Sequence, residues 1–261
     1  MNQEDFGRLV RSHYGVLELD RYKIAYIYSD FRGFASDLEG SIDRDRFCNA
    51  IVDPLLESGM TILAPTFTYT TEGVFETSET STRVGLLNRW LLKQEGVRRS
   101  EHPLFSYAAL GPQADLVENI GKSAFGRDSI FDRLQGRQCS FVHIGHEVSR
   151  GNTALHHVEH LCGATYRIHK AFKTQVYRSG HYVGTDYTAF LRRLDVQGQE
   201  FHHTFEKAAA TLRQEGLIQE TGDPEALRGI GCYDYDQAVS LLFDAFHRDP
   251  TIFIGTDFLQ Y

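Results

Sequence analysis

The sequence predicts an α/β fold, a central sheet flanked by helices. Apolar runs with strand character, "YKIAYIYSDF" from Tyr22, "MTILAPTFTYT" from Met60 and "CSFVHIG" from Cys139, alternate with segments whose apolar residues recur at helical spacing. The order strand, helix, strand opens the chain, which is the unit of a sheet covered by helices, and no run of hairpins is read anywhere along it. The chain has 261 residues, of which 41% are hydrophobic and 12% aromatic, so it can bury a substantial core.

The elements follow in order. The strand from Tyr22 ends in polar residues. "RDRFCNAIVDPLLESG" reads as a helix with Phe47, Ile51, Leu55 and Leu56 near one face, Gly59 as its stop and Pro54 as a break or kink. The strand from Met60 leads into a polar stretch, Thr71 to Arg83, expected to run over the surface. "VGLLNRWLLKQEG" reads as a helix, and the strand from Cys139 is closed by Gly145. A helix from Thr153 follows, capped by Asn152 or Thr153. Two more helices, "TFEKAAATLRQEG" and "DQAVSLLFDAF", precede a short final strand, "TIFIG". No linker or repeat divides the chain, so one domain spanning 1–261 is expected.

Charge and cysteine usage narrow the function. Lys plus Arg total 27 against 35 Asp plus Glu, a net charge of −8, which argues against a nucleic-acid binder and suits either a cationic small substrate or plain solubility. The cysteines at 48, 139, 162 and 232 form no C-x-x-C pair and read as free thiols of a cytoplasmic protein. The N-terminus lacks a secretory pattern, and no run approaches the length needed to span a membrane. Gly121-Lys122-Ser123 looks like the tail of a phosphate-binding loop, but Leu116 stands where that loop needs glycine. Neither G-x-G-x-x-G nor G-x-S-x-G occurs.

"GNTALHHVEH", 151–160, concentrates histidines beyond the end of a strand, where ligands gather in α/β sheets. His156, Glu159 and His160 lie at i, i+3 and i+4 and share one helix face. Three readings are open here. The histidines can fill a half-exposed helix. His156-His157-Val158-Glu159-His160 also matches H-x-x-E-H, a zinc-hydrolase motif that needs a further ligand from elsewhere. Alternatively, a neutral imidazole serves as general base beside a carboxylate.

Further stretches bear on the choice. "GMTILAPTFTYT" (59–70), "RRSEHPLFSYAALGPQA" (98–114), "FGRDSIFDRL" (125–134) and "GNTALHHVEH" occur in this order, and together they resemble the aminoglycoside 3-N-acetyltransferase family, which is distinct from the GNAT superfamily. The similarity runs from about Tyr22 to about His181. It implies that family's fold and acyl transfer from acetyl-CoA, or another short acyl-CoA, to the amine of an amino sugar, with no metal. It implies His156 as catalytic base with Glu159 as its carboxylate, and Glu159 can also hold a cationic substrate. Arg99, Ser100, His102 and Ser106 map to the segment near the acyl-CoA channel, and Thr66 and Thr68 to the strand end lining the substrate cleft. Where the family has H-S-S-L, this chain has Tyr28-Ser29-Asp30-Phe31, and Ser29 keeps a hydroxyl on the CoA side. Thr68 and Ser106 are candidates to meet the oxyanion.

The part from 182 to 261 matches little and is expected to shape the acceptor pocket. The acceptor is an aminoglycoside or a nucleotide-linked amino sugar. The second is preferred on sequence, because no acidic antibiotic-recognition loop is evident. A homo-oligomer is possible. The rival functions are the zinc hydrolase and a non-catalytic sugar-binding protein.

Overall fold

The structure, a computed structural model, describes residues 2–32, 34, 43–150, 152–193, 204–222 and 229–255. Three strands form the centre of a mixed sheet: β1 (Ile24–Ser29), β2 (Thr61–Pro65) and β6 (Cys139–Ile144). β1 pairs parallel with both neighbours, Tyr26 lying opposite Leu63 on one side and Phe141 on the other. β4 (Arg98–Arg99), β5 (Tyr107–Leu110), β11 (Gln219–Thr221) and β12 (Ile230–Asp234) extend it antiparallel, giving the order β11-β12-β6-β1-β2-β5-β4.

β1 is buried on both faces, as its continuous apolar run requires of a central parallel strand. Its alternate residues enter two different clusters. Ala25 and Ile27 pack with helices α1 (Gln3–Val16), α2 (Arg44–Glu57) and α3 (Leu86–Leu91). Ile24, Tyr26 and Tyr28 pack with α4 (Ile130–Leu134), α5 (Leu155–Leu161), α6 (Glu206–Gln214) and α7 (Tyr235–Arg248). The second cluster is strongly aromatic: Tyr26 stacks on Phe141 at 4.4 Å, and Phe141 on Tyr235 at 5.2 Å.

Four local expectations are corrected. The helix around Pro54 continues to Glu57, because proline removes one N–H while the Ser58 N–H still reaches the Pro54 carbonyl at 3.3 Å. Hairpin-like structure does occur. β3 (Val74–Glu76), β8 (Gln175–Arg178) and β9 (His181–Gly184) form one small sheet, and β7 (Arg167–Ala171) pairs with β10 (Thr188–Arg192) in another. Ser179 and Gly180, both at positive φ, supply the turn that joins β8 to β9. The polar stretch from Thr71 therefore includes a strand, anchored by fully buried Phe75. "TIFIG" is a turn rather than a strand: Asp249 accepts the Thr251 N–H at 2.9 Å, while Ile252, Phe253 and Ile254 enter the core. All four cysteines are free, and among the described residues no helix is long and apolar enough to cross a membrane.

Gly145 sits at the end of β6 with φ +73°, and its N–H bonds to the Gly229 carbonyl at 2.9 Å. A Cβ there would stand 1.9 Å from the Asp30 carbonyl oxygen, so β1 and β6 approach closely only because this residue is glycine. Gly145→Ala is expected to lower stability by about 2–4 kcal/mol in denaturant titration, from overpacking plus left-handed strain.

Two buried histidines make the fold acid-sensitive. His102 donates from Nε2 to the Thr188 carbonyl at 2.9 Å and accepts the Leu104 and Phe105 N–H groups at Nδ1. His157 accepts the Gly126 N–H at 3.1 Å. Burial pulls both down to about 4, so both are neutral in the native state. Their contribution is complete above the ordinary histidine pKa and is lost as pH falls below it, because the unfolded chain takes up the protons first. Stability measured at pH 5 should be lower than at pH 7.5 by an order of about 2 kcal/mol for each of the two histidines.

Candidate active site

An open cleft of about 420 Å³ lies beyond the carboxyl ends of β1, β2 and β6. Ser29 and Asp30 line it from the end of β1 and just beyond, Pro65 and Phe67 from the end of β2 and just beyond, and His146 from the loop after β6. Gly85 and Asn88 form part of another wall, and the Asn88 side-chain amide donates to the Pro65 carbonyl. Phe205 is the one lining residue from beyond 182, among the described residues.

The link from β6 to α5 is set by tyrosines. The Thr153 N–H donates to Tyr28 Oη at 2.9 Å, and Tyr28 in turn lies 3.2 Å from Tyr26 Oη. The Asn152 side-chain amide donates to Tyr233 Oη. Neither Asn152 nor Thr153 caps the helix as expected. Ala154 is the cap residue, without a side-chain bond, because both candidate side chains lie in the turn that docks on these tyrosines.

Leu155 and Val158 anchor α5 in the core, which turns His156 to the cleft. Its side chain is 20% exposed, while Glu159 is fully buried. His156 Nδ1 lies 2.6 Å from Glu159 Oε2. Arg167, first residue of β7 and nearly buried, places Nε 2.8 Å from the same oxygen, Nη2 2.6 Å from His156 Nδ1 and Nη1 2.7 Å from the Phe190 carbonyl. Burial lowers the His156 pKa, Arg167 lowers it further and Glu159 opposes both, so the resting ring is neutral near pH 7. With Nδ1–H donated to the carboxylate, Nε2 is the nitrogen that can accept a proton. Phe125 and Phe205 stand 5.7 and 5.6 Å from the ring and shield it.

Of the other residues singled out in the sequence, Ser29, Asn152 and Thr153 line this cleft, and those of the acyl-CoA and strand-end segments lie beside it. Thr66, Arg99 and Ser106 form one knot. Arg99 Nε reaches both hydroxyls at 3.2 Å, Nη2 reaches the Thr66 carbonyl at 2.9 Å, and Nη1 reaches the Thr77 and Thr80 carbonyls. Burial lowers the Arg99 pKa to about 10, which leaves it charged at neutral pH. Ser100 accepts the Tyr107 N–H at 2.8 Å. Thr68 donates to the Pro103 carbonyl, and Ser106 to the Thr66 carbonyl at 2.7 Å, so both hydroxyl protons point at protein oxygens. Together with His102, these contacts join β2, β5 and β10 around the Pro103 turn. Sequence reasoning missed Arg167, Tyr28, Asn88, Arg32 and Arg150. The last two line the cleft, and Arg32 pairs with Asp30. Asn152, within the quoted histidine segment, was legible only as a cap.

The H-x-x-E-H reading meets a fixed cation. Arg167 holds its guanidinium against His156 and Glu159, which that motif uses as a zinc ligand and as the base, so a divalent ion bound beside them faces repulsion. His160 instead packs its ring against His169 and Phe190, at 5.1 and 5.3 Å. Among the described residues, no group of three or more His, Cys, Asp or Glu is assembled to hold a metal.

Comparison with known proteins fits this geometry. The family model for aminoglycoside 3-N-acetyltransferase matches residues 39–226. A search of curated proteins gives no match. Among solved structures, the chain resembles aminoglycoside acetyltransferase AAC(3)-IIb, at 17% identity and TM-score 0.75, covering 95% of this chain and 97% of that one. It also resembles the AAC(3)-IVa apoenzyme, at 19% identity and TM-score 0.69 over 95% and 90% of the two chains. The YokD protein from Bacillus subtilis is similar at 15% identity and TM-score 0.72, over 93% and 99%. These likenesses show a shared fold, as the resemblance read from the sequence implies. On the family match the chain is an N-acetyltransferase, and it belongs to the aminoglycoside 3-N-acetyltransferase family.

Proposed function

We propose that this chain transfers an acetyl group from acetyl-CoA to an amine of an amino sugar, with His156 as general base. The observation that carries the reading is a cleft-lining imidazole held by a buried carboxylate. Such a ring is neutral at working pH and is oriented through Nδ1, which suits Nε2 to take a proton from an attacking amine. Glu159 fixes the tautomer and stabilises the imidazolium as it forms. Glu159 is too deeply buried for a direct part in holding a cationic acceptor, so we assign its role to His156 alone.

Acetyl-CoA supplies an activated acyl thioester. Ser29, Arg32 and Arg150 are suited to its diphosphate, since they combine a hydroxyl and guanidinium groups in one lining. Arg99, Ser100, His102 and Ser106 then act on the CoA side by holding the turn around Pro103, and Thr66 and Thr68 by fixing the end of β2. The directed hydroxyls of Thr68 and Ser106 favour backbone N–H groups as oxyanion donors. The single domain acts as a unit, its region beyond 182 contributing Phe205 to the acceptor side.

The family description favours an aminoglycoside acceptor, as does a neighbour solved with sisomicin bound, AAC-VIa, at 17% identity and TM-score 0.70 over 93% and 97% of the two chains. The nucleotide-linked amino sugar expected from the sequence is the alternative acceptor. Thiol release from acetyl-CoA, measured against a panel of both classes, separates them. Release with neither class at any pH would overturn the function itself. His156→Ala should stay folded and lose a factor of about 100 or more in kcat. Wild-type turnover in that variant rejects the base assignment. Because the base must be neutral and its pKa lies below the ordinary value, kcat/KM expressed per unprotonated amine should hold through pH ~6.5 and fall only at lower pH. Turnover should be unchanged after dialysis against a chelator; its loss, with recovery on adding zinc, would restore the hydrolase-type metal site.

A further inference from the structure

The contacts of Arg167 are not explained by base catalysis alone. Its Nη2 lies 2.6 Å from the same Nδ1 that lies 2.6 Å from Glu159 Oε2. A guanidinium nitrogen only donates and an ionised carboxylate only accepts. Nδ1 therefore satisfies one of them at a time. When it carries hydrogen it bonds Glu159 and faces Arg167 donor to donor. When it does not, it accepts from Arg167 and the proton sits on Nε2.

We infer that Arg167 is a positioning residue for the transfer reaction, holding Glu159 in place while making a doubly protonated His156 short-lived, so that the ring hands its proton on to the departing thiolate. This rests on the proposed acyl-CoA reaction. After the ammonium has lost one proton to solvent, the amine nitrogen bonds the thioester carbon, and its N–H proton passes to Nε2. The C–S bond breaks with its electron pair on sulfur, and the Nε2 proton moves to that sulfur. The amide and the free thiol leave with atoms and charge balanced, and His156 is neutral again. A base that held its proton tightly would stall at the second transfer.

Three features support a fixed cation in this role. The guanidinium is nearly buried, so its field on the ring is weakly screened. Nη1 is tied to the Phe190 carbonyl on β10 and Nε to Glu159, which prevents it from swinging away. Among the described residues, few other charged groups stand near the ring. On α5 there are Glu159 and the neutral His157 and His160; Tyr166 and Arg167 come from the start of β7, together with His169. Phe190 on β10 packs on His160 and His169, and Phe125 and Phe205 face the His156 ring from the flanking loops. Across the cleft stand His146, Arg150 and the Asp30–Arg32 pair.

The test is the pH profile of thiol release by full-length Arg167→Gln and Arg167→Lys. Arg167→Gln should move the acidic limb of kcat/KM upward by about one pH unit, since removing a positive charge favours the imidazolium. Its kcat should fall at least tenfold with a smaller change in KM, and a solvent isotope effect should emerge as proton return becomes limiting. Arg167→Lys, which keeps the charge, should restore the wild-type limb. If the limb of Arg167→Gln stays at the wild-type pH while the protein remains folded by circular dichroism, the inference fails. If both variants unfold, titrating His156 by NMR in the wild type decides instead: a ring that titrates below the ordinary histidine value of about 6.5 despite the adjoining Glu159 meets the inference, and one that titrates at or above it overturns the inference. Absence of thiol release in the wild type would instead strike at the proposed reaction, and that outcome is distinct from any of these.

Discussion

A carboxylate with no exposure to water is the constraint around which this molecule is arranged. Glu159 lies fully buried on α5, and an ionised carboxylate there is strongly unfavourable unless a cation and hydrogen bonds meet it. Arg167 meets it from β7, the next element along the chain. That pairing does more than neutralise charge. Because Arg167 also bonds the Phe190 carbonyl, it joins the helix bearing His156 to the β7–β10 pair. Removing either partner of a buried pair typically costs about 3–5 kcal/mol, so the placement of His156 and the attachment of this small sheet are coupled.

The large sheet supplies the other half of the constraint. Parallel pairing of β1 with β2 and β6 aligns three carboxyl ends, and the residues just beyond them are brought to one edge. Tyr28 carries the alignment into the site: it is the last fully packed residue of β1 on that face, and its hydroxyl receives the Thr153 N–H. The aromatic stack of Tyr26, Phe141 and Tyr235 behind it limits how far that hydroxyl can move. Position of the imidazole thus depends on core packing two layers away, through one hydrogen bond to a tyrosine.

How much of this could be read beforehand follows from the range of the interactions. The three central strands and the helices after them are legible because apolar period and length decide them locally. His156 and Glu159 were legible because a fixed helical offset places them together. Arg167 was not: it stands eight residues beyond Glu159 in a strand, and nothing in "ATYRIHK" marks it as an ion-pair partner. The β7–β10 region was missed for a related reason. Its strands are half exposed and short, so their alternation is weak, and only the Ser179–Gly180 turn declares them. "TIFIG" failed in the opposite sense, since a buried apolar run is compatible with a turn when Asp249 and Pro250 have already ended the helix.

The recognisable motif residues themselves divide by what their donors do. Four of the five Arg99 guanidinium hydrogens meet protein oxygens, from Thr66, Ser106, Thr77 and Thr80, and its flat face lies 5.0 Å from the Phe75 ring. A guanidinium so occupied is committed to the fold, whereas Arg32 and Arg150 are at the cleft itself. His102 is likewise used on both ring nitrogens. A short sequence pattern around a cleft can therefore persist for two unlike physical reasons: one set of side chains does the chemistry, and another fixes the backbone from which the first set projects. In this chain His156 lines the cleft, where the first set must stand, and Arg99, Ser100, His102 and Ser106 belong by their contacts to the second.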